Sequence, residues 1–211
     1  MNPNIGSDVT VTSAIIEKGY GSAFNLFRLV FPEIPEKVLE DFREATSIET
    51  YKKNSVVIDY GEICRKLFIV IQGYVIIYLH IDGIETPVWF IDVGGITVAV
   101  QSFLEQIPGR ERQIAVEDTV CIVLNRNKYQ ELYDKHPAFE KLIGLLFQTY
   151  YIEALLRIEL SHHPPEARYL HLLEHRADII RNAKISELAK YLGIARETLS
   201  RKRAELTKPK K

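Results

Sequence analysis

The sequence predicts an α+β chain: a β-rich sandwich or barrel, then one long helix, then a small helical domain that ends in a helix-turn-helix. Three observations carry this expectation. Short strand-like runs separated by turn signals fill Ile48 to Asn125, and no proline interrupts the stretch after Pro137 until Pro164-Pro165. The segment ISELAKYLGIARETLSRKRAEL, Ile185 to Leu206, holds two helical patterns that meet at Gly193.

Composition bounds the classes. The chain has 211 residues, 46% hydrophobic and 26% charged, enough for one large domain or a medium domain with a small one attached. A formal net charge of -1 excludes a general polyelectrolyte affinity for nucleic acid, so any such affinity must come from a local patch. No apolar run is long enough to span a membrane, and the N-terminal MNPNIGSDVT lacks the basic and apolar regions of a signal peptide. A cytoplasmic protein with no membrane partner is therefore expected. Cys64 and Cys121 lie far apart among strand-like apolar residues, which predicts buried free thiols rather than a metal or redox motif.

Residues 1–22 read as a loosely ordered extension, because Met1 to Gly21 is mixed in character and contains three glycines. A β-domain with flanking helices is expected over 23–136. Ala23 to Val30 and Pro35 to Phe42 have helical spacing, with Val38, Leu39 and Phe42 on the apolar side of the second. The predicted strands are Ser55 to Ile58, Lys66 to Ile71, Tyr74 to His80, Thr86 to Ile91, Arg112 to Val116 and Val120 to Leu124. Between them stand Lys53-Asn54, Asp59-Tyr60-Gly61, Gln72-Gly73 and Asp82-Gly83, and the last of these marks a hairpin tip.

Residues 137–163 should form one helix and a hinge. From Pro137 to about Leu160 the helix would be about 36 Å long. Its apolar residues cover more than one stripe, which implies a second partner beyond its own core and predicts a dimer interface through Leu142, Leu146 and Tyr150. Burial inside a single subunit is the alternative.

Residues 164–211 should form a helical domain. Its first helix runs from Ala167 to His175 with Tyr169, Leu172 and Leu173 inward. Ser186 is expected to cap the next helix, Leu188, Ala189 and Leu192 to share its inner face, and Gly193 to supply the turn. Ile194 and Leu199 would pack the last helix back, leaving Arg196, Glu197, Ser200, Arg201 and Arg203 outward. Arginine forks onto guanine O6 and N7, and glutamate accepts from a base amino group, so Arg196, Glu197 and Arg201 are the candidates for base contacts. Thr198, Ser200, Lys202 and Arg203 are the candidates for phosphate contacts. From Ala195 to Lys211, seven basic residues stand against two acidic ones. An ordinary amphipathic helix pair with a solvated charged face is the alternative.

Arg196-Glu197-Thr198 with Arg201 one turn on resembles the recognition helix of the Crp/Fnr family of bacterial transcription regulators. Gly61 to Val75 is similar to the cyclic-nucleotide-binding β-roll, where one glycine precedes a buried strand and another closes it into the next, and Glu117-Asp118-Thr119 looks like the turn into the last strand of that roll. The resemblance spans roughly Ile34 to Leu206. It implies a double-stranded β-helix, a central dimerisation helix, double-stranded DNA with an inverted repeat as partner, and RNA polymerase as a further partner. Family members commonly continue into a β-hairpin wing, whereas Thr207-Lys208-Pro209-Lys210-Lys211 predicts a short or missing wing.

In the family, a Gly-Glu pair holds the ribose of cyclic AMP, and an arginine followed by a small hydroxyl residue holds its phosphate. Here the first place reads Gly94-Gly95-Ile96-Thr97 and the second Pro108-Gly109-Arg110-Glu111-Arg112-Gln113. Gly94, Gly95, Thr97, Arg110 and Arg112 are thus the candidates for a degenerate pocket that does not bind cyclic AMP, the two arginines being surface charges more readily than clamps. No cofactor is expected: two cysteines cannot hold an iron–sulfur cluster, and the histidines offer no clear haem ligand. Two other functions compete: a small-molecule or cyclic-nucleotide-sensing module acting on a protein partner, which leaves the C-terminal helix pair without a use, and a cupin-type enzyme. The enzyme reading needs clustered metal-binding histidines, but His80 is the only histidine in the β region, so no catalytic residue or metal ligand is assigned.

Overall fold

The structure, a computed structural model, describes residues 11–206. The tail Thr207–Lys211, and with it the question of a wing, lies outside the described residues. Two helices come first, α1 (Ser13–Val30) and α2 (Glu36–Ala45). The expected loose extension is corrected here: its second half is the start of α1, capped where the Ile15 N–H donates to Thr12 Oγ1 at 3.3 Å. Gly19 sits on α1 because the helix lies directly on the sheet, where a Cβ would stand 2.7 Å from Ile71 Cβ.

Eight strands follow: β1 (Thr46–Tyr51), β2 (Val56–Ile58), β3 (Lys66–Gln72), β4 (Val75–Ile81), β5 (Ile84–Ile91), β6 (Ile96–Thr97), β7 (Glu111–Ala115) and β8 (Thr119–Asn125). They pair antiparallel into two four-stranded sheets, β1-β8-β3-β6 and β2-β7-β4-β5. The six predicted strands are present with ends shifted by a residue or two. Asp82 and Gly83, at φ 52° and 75°, make the tight turn of the β4–β5 hairpin. At Gly73 (φ 89°) a Cβ would meet Asp118 O at 2.7 Å, so the turn into β4 is closed against the Glu117–Thr119 turn and admits no side chain.

The short α3 (Val100–Glu105) leads into β7, and α4 (Arg126–Lys135) leads from β8 into the long α5 (Pro137–Ser161). Phe27, Phe42, Tyr129 and Phe139 join the main core over the first sheet. Asp41, 7% exposed, ties α2 to the α4–α5 junction through Lys135 Nζ and His136 Nε2 at 2.5 and 2.8 Å. Those partners, together with Lys37, hold its carboxyl well below the usual range. Cys64 and Cys121 are buried free thiols, and burial pushes Cys121 up to about 12.

The C-terminal helices are α6 (Pro165–His175), α7 (Ala177–Asn182), α8 (Ile185–Leu192) and α9 (Arg196–Leu206). They form a second core with the outer face of the second sheet. On β4, Val75 and Ile77 belong to the main core, whereas Ile76 and Tyr78 join Tyr169, Leu172, Ile179 and Leu188. Strand alternation thus serves two cores, which is why β4 carries no polar face.

Candidate functional site

The α8–α9 pair is built from its turn outward. Gly193 has φ 62°, its N–H donates to Lys190 O, and the Ile194 N–H donates to Ala189 O, each at 3.0 Å. These two bonds are the Schellman arrangement, which satisfies the last carbonyls of α8. Leu188 and Leu199 are fully buried, and Ala189 is 3% exposed between them. Ser186 is not the cap expected of it: α8 begins at Ile185 after Lys184, whose N–H donates to Glu187 Oε2 at 2.8 Å. Glu187 reaching back does the work assigned to a serine hydroxyl.

On α9 Arg196, Glu197, Ser200, Arg201 and Ala204 are exposed. The outward face is narrower than expected, since Arg203 is half-buried. Thr198 and Lys202 turn towards the Pro164–Glu166 segment, and Lys202 Nζ pairs with Glu166 Oε2 at 3.0 Å.

Polar contacts hold this helical unit on the sheet. Tyr74 Oη donates to Asp178 Oδ2 and Tyr78 Oη to Glu187 Oε1, both at 2.9 Å. Arg176 donates through Nε and Nη2 to the two Asp178 oxygens at 3.0 and 2.9 Å, and from Nη2 to Phe90 O at 3.0 Å. Burial opposes ionisation of Asp178, but Arg176 and Tyr74 hold its carboxyl below the usual range. Phe90 meets Tyr191 edge-on at 4.8 Å, and the Arg157 guanidinium lies over Trp89 and Tyr191 at 5.1 and 4.5 Å.

Of the residues expected at a dimer interface, Leu142 is taken up by the core of its own subunit, and Leu146 and Tyr150 are half-buried against it. Leu142 is 1% exposed in the main core, Leu146 packs against that core, and Tyr150 stacks on Trp89 at 4.8 Å. All three share the helix face of Phe139. The opposite face of α5 exposes Tyr151 (64%), Ile152, Leu155, Leu156 and Ile158. These side chains form an apolar strip on the exposed side of the helix.

A cavity of about 570 Å³ lies between the β5–β6 region of the roll and α5. It brings together Gly94, Gly95 and Thr97 of the expected pocket but neither arginine. Arg110 is exposed, and Arg112 is held by Asp59 and Glu85 at 3.2 and 3.5 Å. The wall is mainly apolar, with Trp89, Phe103 and Ile143 among its lining, and its charged members are Asp92, Glu153 and Arg176. No sequence motif marks these three, which lie far apart in the chain and come to one wall only through the packing of the helices on the roll. Among the described residues no group of three His, Cys, Asp or Glu is placed to hold a metal ion, and no helix is long and apolar enough to cross a membrane.

Comparison with known proteins agrees with this architecture. The family model of the cyclic nucleotide-binding domain matches residues 48–136. No curated protein matches the chain. Among solved structures, the chain is similar to the c-di-GMP responsive global regulator CLP of Xanthomonas campestris, at 18% identity over 82% of this chain and 91% of that one with a TM-score of 0.64. FixK2 of Bradyrhizobium japonicum follows at 18% identity, 76% and 84% coverage and a TM-score of 0.63. The catabolite activator protein of Thermus thermophilus matches at 21% identity, 84% and 85% coverage and a TM-score of 0.54. Residues 48–136 thus match the cyclic nucleotide-binding domain, and the chain shares its fold with these three structures.

Proposed function

We propose that the chain is a cytoplasmic, homodimeric, sequence-specific DNA-binding transcription regulator of the Crp/Fnr type that does not respond to cyclic AMP. One observation carries this reading: α9 presents Arg196, Glu197, Ser200 and Arg201 to solvent while Leu199 anchors the helix from behind. A helix-turn-helix needs a recognition helix that is fixed on one side and polar on the other, and these side chains match guanine and base amino groups. Dimerisation through the exposed α5 strip supplies the symmetry. Tyr151, Leu155 and Ile158 recur at spacings of four and three, the pattern of a two-stranded helical seam. Two copies of α9 would then address an inverted repeat with half-sites about 34 Å apart. The likeness to FixK2 and the catabolite activator protein in fold supports the same arrangement.

The test is selection of bound sites from a genomic DNA pool, followed by titration of the selected duplex. Arg196→Ala and Arg201→Ala should each weaken the selected site by about 1 to 3 kcal/mol and relax one base pair of it. Equal losses on selected and random duplex would show that this helix face does not read bases.

A further inference from the structure

We propose that the outer face of α6 carries a binding site for a divalent transition-metal ion, held by the imidazoles of His171 and His175 with the Glu174 carboxylate beside them. The inference rests on α6 alone and stands whether or not the chain binds DNA. Helix residues four apart lie on one face, a turn from each other, so one ion can reach both rings. His171 and His175 are exposed, with their ring centres 4.6 Å apart and their planes inclined at 51°. The inner face of α6 is anchored by Tyr169 and Leu172, both buried in the second core. The two imidazoles thus project from a fixed helix rather than from a loop.

The spacing selects the ion. Two imidazoles bound to one ion through bonds of about 2.1 Å have ring centres roughly 4.6 Å apart where the bonds meet at a right angle, and roughly 5.3 Å apart where they meet at the tetrahedral angle. The pair in α6 stands at the right-angled spacing, which suits nickel(II) or copper(II) better than tetrahedral zinc. The surroundings favour a cation. Neither ring is spent on a hydrogen bond among the described residues. Glu174 Oε2 lies 3.8 Å from His175 Nε2, and no lysine or arginine pairs with that carboxylate among the described residues. The arginines on either side turn elsewhere. Arg168 directs Nη1 to the α8–α9 turn, 3.4 Å from where a Cβ on Gly193 would stand, and Arg176 is committed to Asp178 and to Phe90 O. Because α6 ends at His175, the negative end of its dipole lies against the site. The exposed Glu174 side chain is free to rotate onto the ion, and water completes the coordination, so the site is open and exchangeable rather than a closed structural one.

Nickel(II), zinc(II) and magnesium are titrated calorimetrically into the full-length chain without an affinity tag. Nickel should bind saturably at one ion per chain, zinc about threefold or more weakly, and magnesium, which takes oxygen ligands, not at all. His171→Gln and His175→Gln, both on the exposed side of the helix, should each weaken nickel about tenfold or more, and Glu174→Gln about two- to fivefold. Replacing His162 and His163, which follow α5, with glutamine should leave nickel binding unchanged. A second measurement needs no variant: diethyl pyrocarbonate modifies free imidazoles, and nickel should protect His171 and His175 in the peptide map while His162 and His163 still react. Failure of nickel to bind, nickel affinity that survives both single histidine substitutions, zinc binding as tight as nickel, or protection of other histidines in place of these two would overturn the proposal.

Discussion

Arg176→Met tests whether the helical unit is fastened to the roll by charge as well as by area. Methionine keeps most of the apolar stem and removes the two bonds to Asp178 and the bond to Phe90 O. Asp178, whose side chain is 15% exposed, is left with the Tyr74 hydroxyl as its remaining partner among the bonds described. Removing one partner of a fully buried pair costs about 3 to 5 kcal/mol. The Arg176 side chain is 35% exposed, so solvent screens part of this, and about 2 to 3 kcal/mol is expected. For a chain of this length that lowers the melting temperature by about 5 to 10 °C. The sign with pH follows from Asp178, whose folded carboxyl titrates below its unfolded value of 3.8. A depressed carboxyl contributes stability that is present above the unfolded pKa and lost as pH falls through the folded one. The gap between wild type and variant should therefore hold at neutral pH and narrow below about pH 4, without vanishing, because the Phe90 carbonyl bond does not titrate. Urea unfolding at about pH 7 and about pH 3.5 measures both quantities. A penalty under about 0.5 kcal/mol, or one that grows on acidification, would refute the account.

Two further outcomes follow from the geometry. Leu155→Glu should abolish dimerisation in sedimentation at micromolar concentration while changing the monomer's own stability by less than about 0.5 kcal/mol, because Leu155 is 47% exposed; a dimer that survives would place the interface elsewhere. Gly73→Ala should cost well over about 2 kcal/mol and Gly193→Ala about 1 kcal/mol by chemical denaturation, since both need positive φ but only the first meets fixed backbone, at 2.7 Å, where the second meets the end of Arg168 at 3.4 Å. Equal costs would mean that steric closure at Gly73 is not what the turn requires.

Much of the fold was legible because local chemistry and tertiary packing agree. Asp82-Gly83 and Gly73 demand positive φ whatever surrounds them, and Pro137 and Gly193 bound helices by rules that act within one turn. The failures lie where packing overrides local signals. Gly19 and Gly21 suggest a loose segment, yet Gly19 is there so that α1 can lie on Ile71. The strand β1 and the helix α4 went unseen because Ser47, Glu49, Arg126 and Lys128 dilute their apolar spacing, although Tyr51, Tyr129 and Leu132 are buried. On α5 the apolar residues were identified, but spacing alone does not say which of two apolar faces meets the same chain. Leu142 illustrates the ambiguity, since its burial in its own core follows from where α5 packs and not from its spacing.

The cavity was the least legible feature, for a reason that lies in β5. Trp89 and Phe90 are consecutive on an extended strand and therefore point to opposite faces. Trp89 meets Tyr150 of α5, and Phe90 meets Tyr191 of α8. The two faces are not independent: Arg157 of α5 spans Trp89 and Tyr191, and Arg176 touches the cavity, the Phe90 carbonyl and Asp178 of α7. One edge strand thus carries the cavity wall on its inner side and the seat of α8 on its outer side. The alternation of a single strand therefore puts the cavity wall and the seat of α8 on one backbone.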